Sequence, residues 1–308
     1  MLSKELSEKY KISEFELNSI ISKMKSIILD TYQKDDKIPT AIFTGGQPGA
    51  GKSAIVLKSK IDLARKNKDS IVFDLDSYRG LFSKSLEIAQ QYPEYFQVLT
   101  NPYSGKIMEE LSNMAIEEGY NFIMEGTMGK SVYTLDVLLK SGKKYNIIAR
   151  LLAVSREESI ISMFERYILM EEKSGFGRLT TIKDHDERYE NFPNIALTLE
   201  GKGVEVEVYE RTDNIRNPKL TYKTSNKKAN IYNSVSQAIE LGRKISRKKC
   251  YKTYEERLEY INYKFKEFNV NEGLMEELNK LNEMFQYNPK KKEKKIGSLS
   301  SSVGGIKN

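Results

Sequence analysis

The sequence predicts an α/β protein in which a mostly parallel sheet is flanked by helices, with a helical extension at the C-terminus. Short apolar runs alternate with helix-length amphipathic segments between residues 40 and 209. A glycine-rich turn, Gly46 to Ser53, joins the first apolar run to the first long helical segment. Beyond about Lys219 strand-like runs fade and polar amphipathic segments take over.

In chain order, residues 3–30 carry Leu6, Tyr10, Phe15, Leu17, Ile20, Ile21, Met24, Ile27 and Ile28 at largely helical spacing, which predicts one or two helices. Gln33 to Pro39 is a polar connector. Strands are expected at Thr40–Thr44, Ser70–Asp74, Asn121–Met124, Asn146–Val154 and, as the last, Val204–Tyr209. Helices are expected from about Lys52 to Asn67, Ser104 to Glu118, Tyr133 to Ser141 and Glu157 to Lys173. Three further helices are expected at 231–249, 254–268 and 272–287. The chain then divides into an N-terminal helical segment packed on the core (1–37), a phosphate-loop α/β domain (38–218), a basic helical extension (219–288) and a Lys-, Gly- and Ser-rich disordered tail (289–308).

Hydrophobic residues are 39 % of the chain and charged residues 30 %, enough apolar side chain to bury a core. Cys250 is the only cysteine, which excludes an intramolecular disulfide and a cysteine-rich zinc site and fits a reducing compartment. Charges interrupt the N-terminus from Lys4 onward, so no signal peptide is expected. The most apolar stretch, Ile147–Val154, is broken by Arg150 and is too short to span a bilayer. These features point to the cytoplasm. The formal charge of +7 is unevenly placed: residues 211–308 hold 22 Lys and Arg against 11 Asp and Glu, and residues 1–210 hold 28 against 32. A nucleic-acid groove in the front part would be expected to be basic, and this balance argues against one. The back third leaves room for an acidic partner or nucleic acid.

Gly46-Gln47-Pro48-Gly49-Ala50-Gly51-Lys52-Ser53 matches G-x-x-x-x-G-K-[ST]. Such glycines let consecutive backbone N–H groups turn in around a phosphate, the lysine reaches the β- and γ-phosphates, and the serine hydroxyl ligates Mg²⁺. The motif has its required context, a strand before it and a Pro- and Gly-free helix after it, so ATP and Mg²⁺ are the expected cofactors. A guanine-reading Asn-Lys-x-Asp is lacking, since Asn226-Lys227-Lys228 runs into Ala229. A motor-type ATPase is also disfavoured, because Leu75 follows Ile71-Val72-Phe73-Asp74 where the water-activating carboxylate would stand.

The second strand instead ends Asp74-Leu75-Asp76-Ser77-Tyr78-Arg79. Carboxylates just past a strand's C-terminal end face the ligand crevice of open α/β sheets, and transfer to an alcohol needs a base beside the acceptor hydroxyl. Asp76 is the candidate base; the alternative is that Asp74 and Asp76 terminate the strand or cap a turn. By the same crevice rule Glu125 is a candidate to hold Mg²⁺ through water, and Thr127 to touch substrate, against a plain strand-to-turn transition. Arg166, in the helix after the fourth core strand, and Arg178, after Ser174-Gly175-Phe176-Gly177, are candidates to stabilise a transferring phosphate. His185 is the only histidine and reads as a structural hydrogen-bonding residue.

Together these residues resemble the zeta toxins. The resemblance rests on Gly45 to Ser53, Asp74-x-Asp76-x-x-Arg79, Pro102-Tyr103-Ser104, Gly119-Tyr120-Asn121 with Glu125-Gly126-Thr127, Glu165-Arg166-Tyr167, Arg178 with Thr180, and His185-Asp186, in order over about residues 38–211. It implies a kinase that phosphorylates the sugar 3-hydroxyl of UDP-N-acetylglucosamine with ATP and Mg²⁺, so inhibiting cell-wall synthesis, and a small acidic antitoxin that blocks the nucleotide site. Carried onto this chain, it implies Lys52 as phosphate binder, Asp76 as base, Glu109 and Thr127 as sugar-nucleotide contacts, and Arg166 and Arg178 as the phosphate clamp. The chain departs from the family's pattern after Asp76, where it reads Gly80-Leu81-Phe82-Ser83. Two other functions remain open: a kinase acting on another small alcohol, such as an antibiotic or nucleotide cofactor, and a nucleotide-binding interaction protein whose basic helices grip an acidic partner.

Overall fold

The computed structural model describes residues 2–35, 37–92, 95–126, 131–175, 177–212, 217–226 and 230–287. The expected tail, 289–308, and Thr127 lie outside the described residues. Among the described residues six strands form one sheet: β1 (Thr40–Gly45), β2 (Ile71–Asp74), β3 (Phe122–Glu125), β4 (Asn146–Ala153), β5 (Glu205–Glu210) and β6 (Lys219–Lys223). Their order is β2-β3-β1-β4-β5-β6, parallel throughout except for the β5–β6 pair. β1 is buried along its whole length, as expected of a central parallel strand covered on both faces. Alternate side chains supply the two layers. Ala41, Phe43, Phe122, Met124, Leu151 and Val206 enter the main core on one face, while Ile42 and Ile123 pack with Val56 and Leu63 on the other.

Ten helices surround the sheet among the described residues: α1 (Leu2–Lys9), α2 (Glu14–Thr31), α3 (Lys52–Ala64), α4 (Ser85–Gln91), α5 (Phe96–Glu118), α6 (Ser131–Lys140), α7 (Arg156–Ser174), α8 (Ile182–Gly201), α9 (Val235–Glu267) and α10 (Glu272–Met284). Their starts are fixed by side-chain caps. Ser13, Ser155, Thr181, Ser234 and Asn271 each accept a first-turn backbone N–H. Gly119 and Gly175 end α5 and α7 in the left-handed conformation.

The structure differs from the sequence reading in five elements, the first being α4 (Ser85–Gln91), where no element was expected. β5 is not the last strand, because β6 returns antiparallel to it. α8 fills the stretch between residues 173 and 204, with Pro193 inside it, a residue that argues against a helix in sequence. α5 begins eight residues before the expected Ser104 and likewise contains a proline, Pro102. The expected helices at 231–249 and 254–268 are one helix of 33 residues, since Cys250-Tyr251-Lys252-Thr253 contains no breaker. Its first turns place Val235, Ala238 and Ile239 in the main core, and its last turns place Leu258, Ile261 and Phe265 against α7 and α10.

The basic charge of α9 faces the acidic side of α7. Arg247 pairs with Glu157, Arg257 with Glu158 and Glu165, and Lys264 with Glu172. The opposite charge excesses of the front and back of the chain therefore meet inside the molecule.

Candidate functional site

β1 leads into the glycine-rich loop at the point where the chain order turns from β3 on one side to β4 on the other, the crevice position of open α/β sheets. Gly49 and Gly51 have φ of 75° and 91°, which glycine adopts without steric cost. Gly49 is also hemmed in: a Cβ there would lie 1.9 Å from the backbone oxygen of Ser159 on α7. Gly51 precedes α3, which has no side-chain cap and whose positive dipole end faces the loop. The Lys52 ammonium donates to the carbonyls of Gly46 and Gln47 at 3.1 and 3.3 Å. Burial lowers its pKa to about 8, and the charge of Arg166 adds to this against the attraction of Glu125 and Asp76.

Asp74 closes β2 and caps the 3-10 turn at 75–81, accepting from the Asp76 N–H at 3.0 Å and from the Ser77 hydroxyl at 2.9 Å. The capping alternative thus applies to Asp74, and its effect is to hold Asp76 in place. Asp76 accepts from Arg79 Nε at 2.9 Å and from Arg178 Nη1 at 2.6 Å, with a second contact from Arg178 Nη2 to Oδ2. Burial alone would raise its pKa, but the bonds and charge of Arg178 and Arg79 outweigh burial and hold it at about 2. Arg79 is itself buried and anchored on α5 through Thr100 Oγ1 at 2.8 Å and Asn101 Oδ1 at 2.7 Å.

Glu125 ends β3 in register with Thr44 of β1 and Asp74 of β2, so the three side chains mark one row across the sheet's C-terminal edge. Burial raises its pKa, and the nearby charges of Asp74 and Asp76 push the same way. Arg166 projects from α7 into this group. Its pKa is lowered by burial and then by the like charge of Arg178. The Nε atoms of both arginines are buried without a hydrogen-bond partner. Gly177 fixes the approach of Arg178: its N–H donates to Glu171 Oε1 at 2.7 Å, and it packs so closely on Tyr167 that a Cβ would lie 2.7 Å from that ring.

Lys52, Glu125, Arg166 and Arg178 therefore all stand within electrostatic reach of Asp76. Glu109 stands on α5 and lines a cavity of about 400 Å³ with Pro102, Lys106, Met108, Tyr133 and Thr134, where the Tyr133 hydroxyl donates to it at 3.4 Å. Ser53 is exposed in the first turn of α3. Among the described residues no group of three or more His, Cys, Asp or Glu side chains could hold a metal alone. Mg²⁺ binds by one or two protein oxygens plus phosphates and waters, and the Ser53 hydroxyl and Glu125 carboxylate are donors of that kind. Sequence reasoning missed Arg188 on α8, whose charge acts on Lys52; its only signal was its place one helical turn beyond His185. Among the described residues no helix is long and apolar enough to cross a membrane.

Comparison with known proteins gives a consistent answer. The family model described as zeta toxin matches residues 25–237. Toxin zeta of Streptococcus pyogenes is 28 % identical over 230 residues, 70 % of this chain and 74 % of that protein. Toxin PezT of Streptococcus pneumoniae is 33 % identical over 141 residues, 44 % of this chain and 53 % of that protein. A solved structure from a study of the PezAT chromosomal toxin–antitoxin system of Streptococcus pneumoniae superposes with a TM-score of 0.65 at 21 % identity. It covers 82 % of this chain and 98 % of that one, a likeness of fold. With the phosphate loop, the crevice carboxylates and the arginine pair on one sheet edge and a family model spanning them all, this chain belongs to the zeta toxin family.

Proposed function

We propose that this protein is a toxin kinase that transfers the γ-phosphate of ATP to the sugar 3-hydroxyl of UDP-N-acetylglucosamine. The observation that carries the reading is the gathering of Lys52, Arg166 and Arg178 around Asp76, with both arginine Nε atoms buried and unpartnered. Buried guanidinium N–H groups without a partner call for an acceptor, and a triphosphate at the glycine loop supplies one. The loop N–H groups and Lys52 bind the β- and γ-phosphates. Asp76 takes the proton of the acceptor hydroxyl, that oxygen bonds to the γ-phosphorus, the bond from phosphorus to the β,γ-bridging oxygen breaks, and ADP leaves with the electron pair. Arg166 and Arg178 neutralise charge on the transferring group. Ser53 and, through water, Glu125 would hold Mg²⁺, which would screen phosphate charge. Glu109 and Thr127 contact the acceptor, and Glu109 already opens on a cavity beside Tyr133.

The family and the PezAT neighbour support a cognate antitoxin for this chain, covering the nucleotide site. The alternative of basic helices gripping an acidic partner loses ground because Arg247, Arg257 and Lys264 are paired with α7. The deciding experiment incubates the protein with ATP, Mg²⁺ and UDP-N-acetylglucosamine and looks for a phosphorylated sugar nucleotide. Its formation by the parent and not by Asp76→Ala supports the reading. Consumption of ATP only with another alcohol would move the protein to the other-acceptor class.

A further inference from the structure

Behind the glycine loop lies a buried hydrogen-bond chain that no step above uses. Gln47 is 1 % exposed, and Ser159 and His185 are fully buried. The Gln47 amide nitrogen donates to the Val154 carbonyl at 2.9 Å and to Ser159 Oγ at 3.1 Å. Ser159 Oγ lies 2.8 Å from His185 Nε2, and His185 Nδ1 lies 3.0 Å from Asp186 Oδ1. Arg156 donates to both oxygens of Asp186 at 2.7 Å. Tyr189 stacks on the His185 ring, and Arg243 of α9 lies 3.6 Å from the centre of the Tyr189 ring.

The donors can be assigned by elimination. The Val154 carbonyl accepts only, so it must face the Gln47 NH₂ group, and Ser159 Oγ must then accept from the same nitrogen. The Asp186 carboxylate accepts only, so the proton between it and His185 sits on Nδ1. Burial lowers the His185 pKa and favours the neutral ring, so Nε2 is an acceptor. The Ser159 hydroxyl also lies 2.8 Å from the Ser155 carbonyl and 3.1 Å from the Arg156 carbonyl, but an accepting Nε2 at 2.8 Å needs the proton of Oγ, so the hydroxyl turns to His185. The layout has the order of a Ser-His-Asp triad, but a fully buried serine hydroxyl that accepts from Gln47 is no nucleophile.

We infer that His185 is a positioning residue for nucleotide binding: through Ser159 it holds Gln47, and with it the crest of the glycine loop, at a fixed place on α7. The helix joins this anchor to the rest of the site. Ser159 and Met163 meet the loop at Gly49, and Arg166 follows at the next turn of the same face. The chain thereby sets the spacing between the phosphate cradle and one arm of the clamp. The inference rests on the nucleotide reading above.

The test uses the full chain and the fact that His185 is its only histidine. Nitrogen NMR of ¹⁵N-histidine-labelled protein reports one ring, and the expected result is a protonated Nδ1 with an unprotonated Nε2. A protonated Nε2, or a ring averaging between tautomers, overturns the inference alone. ATP affinity is then measured for three variants. The Gln amide reaches the place of Nε2, whereas the Asn amide reaches only that of Nδ1. His185→Gln should bind ATP within roughly threefold of the parent, and His185→Asn and His185→Ala roughly tenfold more weakly, the scale of one lost buried hydrogen bond. Equal affinities for Gln and Asn overturn the inference. If Lys52→Ala binds ATP undiminished, the nucleotide reading and the inference fall together.

Discussion

Arg178 donates to both carboxylate oxygens of Asp76, so the candidate base and one arm of the candidate phosphate clamp are bound to each other. Each group is occupied by the other, and a triphosphate competes with Asp76 for Arg178. Replacing Asp76 with Ala should therefore lower turnover about a thousandfold, the scale of a lost general base. ATP affinity in the same protein should hold or rise, because Arg178 is released. Titration calorimetry beside a turnover assay checks both, and a large loss of ATP affinity would assign Asp76 to the metal instead.

The pKa of Lys52 predicts a pH dependence with a definite sign. Burial holds it at about 8, below the ordinary 10.5. A bound triphosphate favours the charged ammonium, so binding raises the pKa and takes up a proton above pH 8. ATP affinity should be level on the acid side of 8 and weaken as pH rises through it, by up to about tenfold per unit. Asp76, held at about 2, stays ionised across that range and adds no slope. Lys52→Ala should abolish the slope together with most of the affinity.

Gly49→Ala should break the loop without touching a catalytic group. The added methyl would meet the Ser159 carbonyl at 1.9 Å on a backbone with φ of 75°. A stability loss of about 2 kcal/mol or more is expected, with ATP binding abolished. Gly51→Ala offers a contrast, since its φ is 91° but no atom lies within 4 Å of the new methyl. It should fold more stably than Gly49→Ala in a thermal melt.

Arg257→Ala should destabilise the protein from outside the site. Arg257 donates two bonds of 2.7 Å to Glu165 and one of 2.7 Å to Glu158. Its loss leaves Glu158 and Glu165, two helix turns apart on α7, without their shared cation and strips charge-assisted bonds from a mostly covered pair. A loss of about 1–3 kcal/mol is expected, read by chemical denaturation.

The parts legible in the sequence are those set by local pattern. β1 to β5 follow from short apolar runs, and the glycine loop from its spacing. Asp76, Glu125, Arg166 and Arg178 follow from where the core strands and their helices end. What stayed hidden is set by distant partners. α8 is stable despite Pro193 because Phe192, Ala196 and Leu199 are buried in the main core, a tertiary effect that local propensity does not carry. β6 exists because β5 offers it a ladder. The contact between Gln47 and Ser159 spans 112 residues, and nothing around either position announces it. Arg150, which interrupts an apolar strand, is explained by the distant partners Glu207 and Asp62, at 2.9 and 2.8 Å, and Ser59 at 3.0 Å.

The unbroken length of α9 has a consequence for how the molecule comes apart. At 1.5 Å per residue its 33 residues reach about 50 Å. One end is built into the packing against the sheet and the other into the packing of α7 with α10. No joint lies between the two where heat could melt one and spare the other. Chains of more than three hundred residues often melt piecemeal; this one should give a single calorimetric peak, with the C-terminal helices and the sheet lost together.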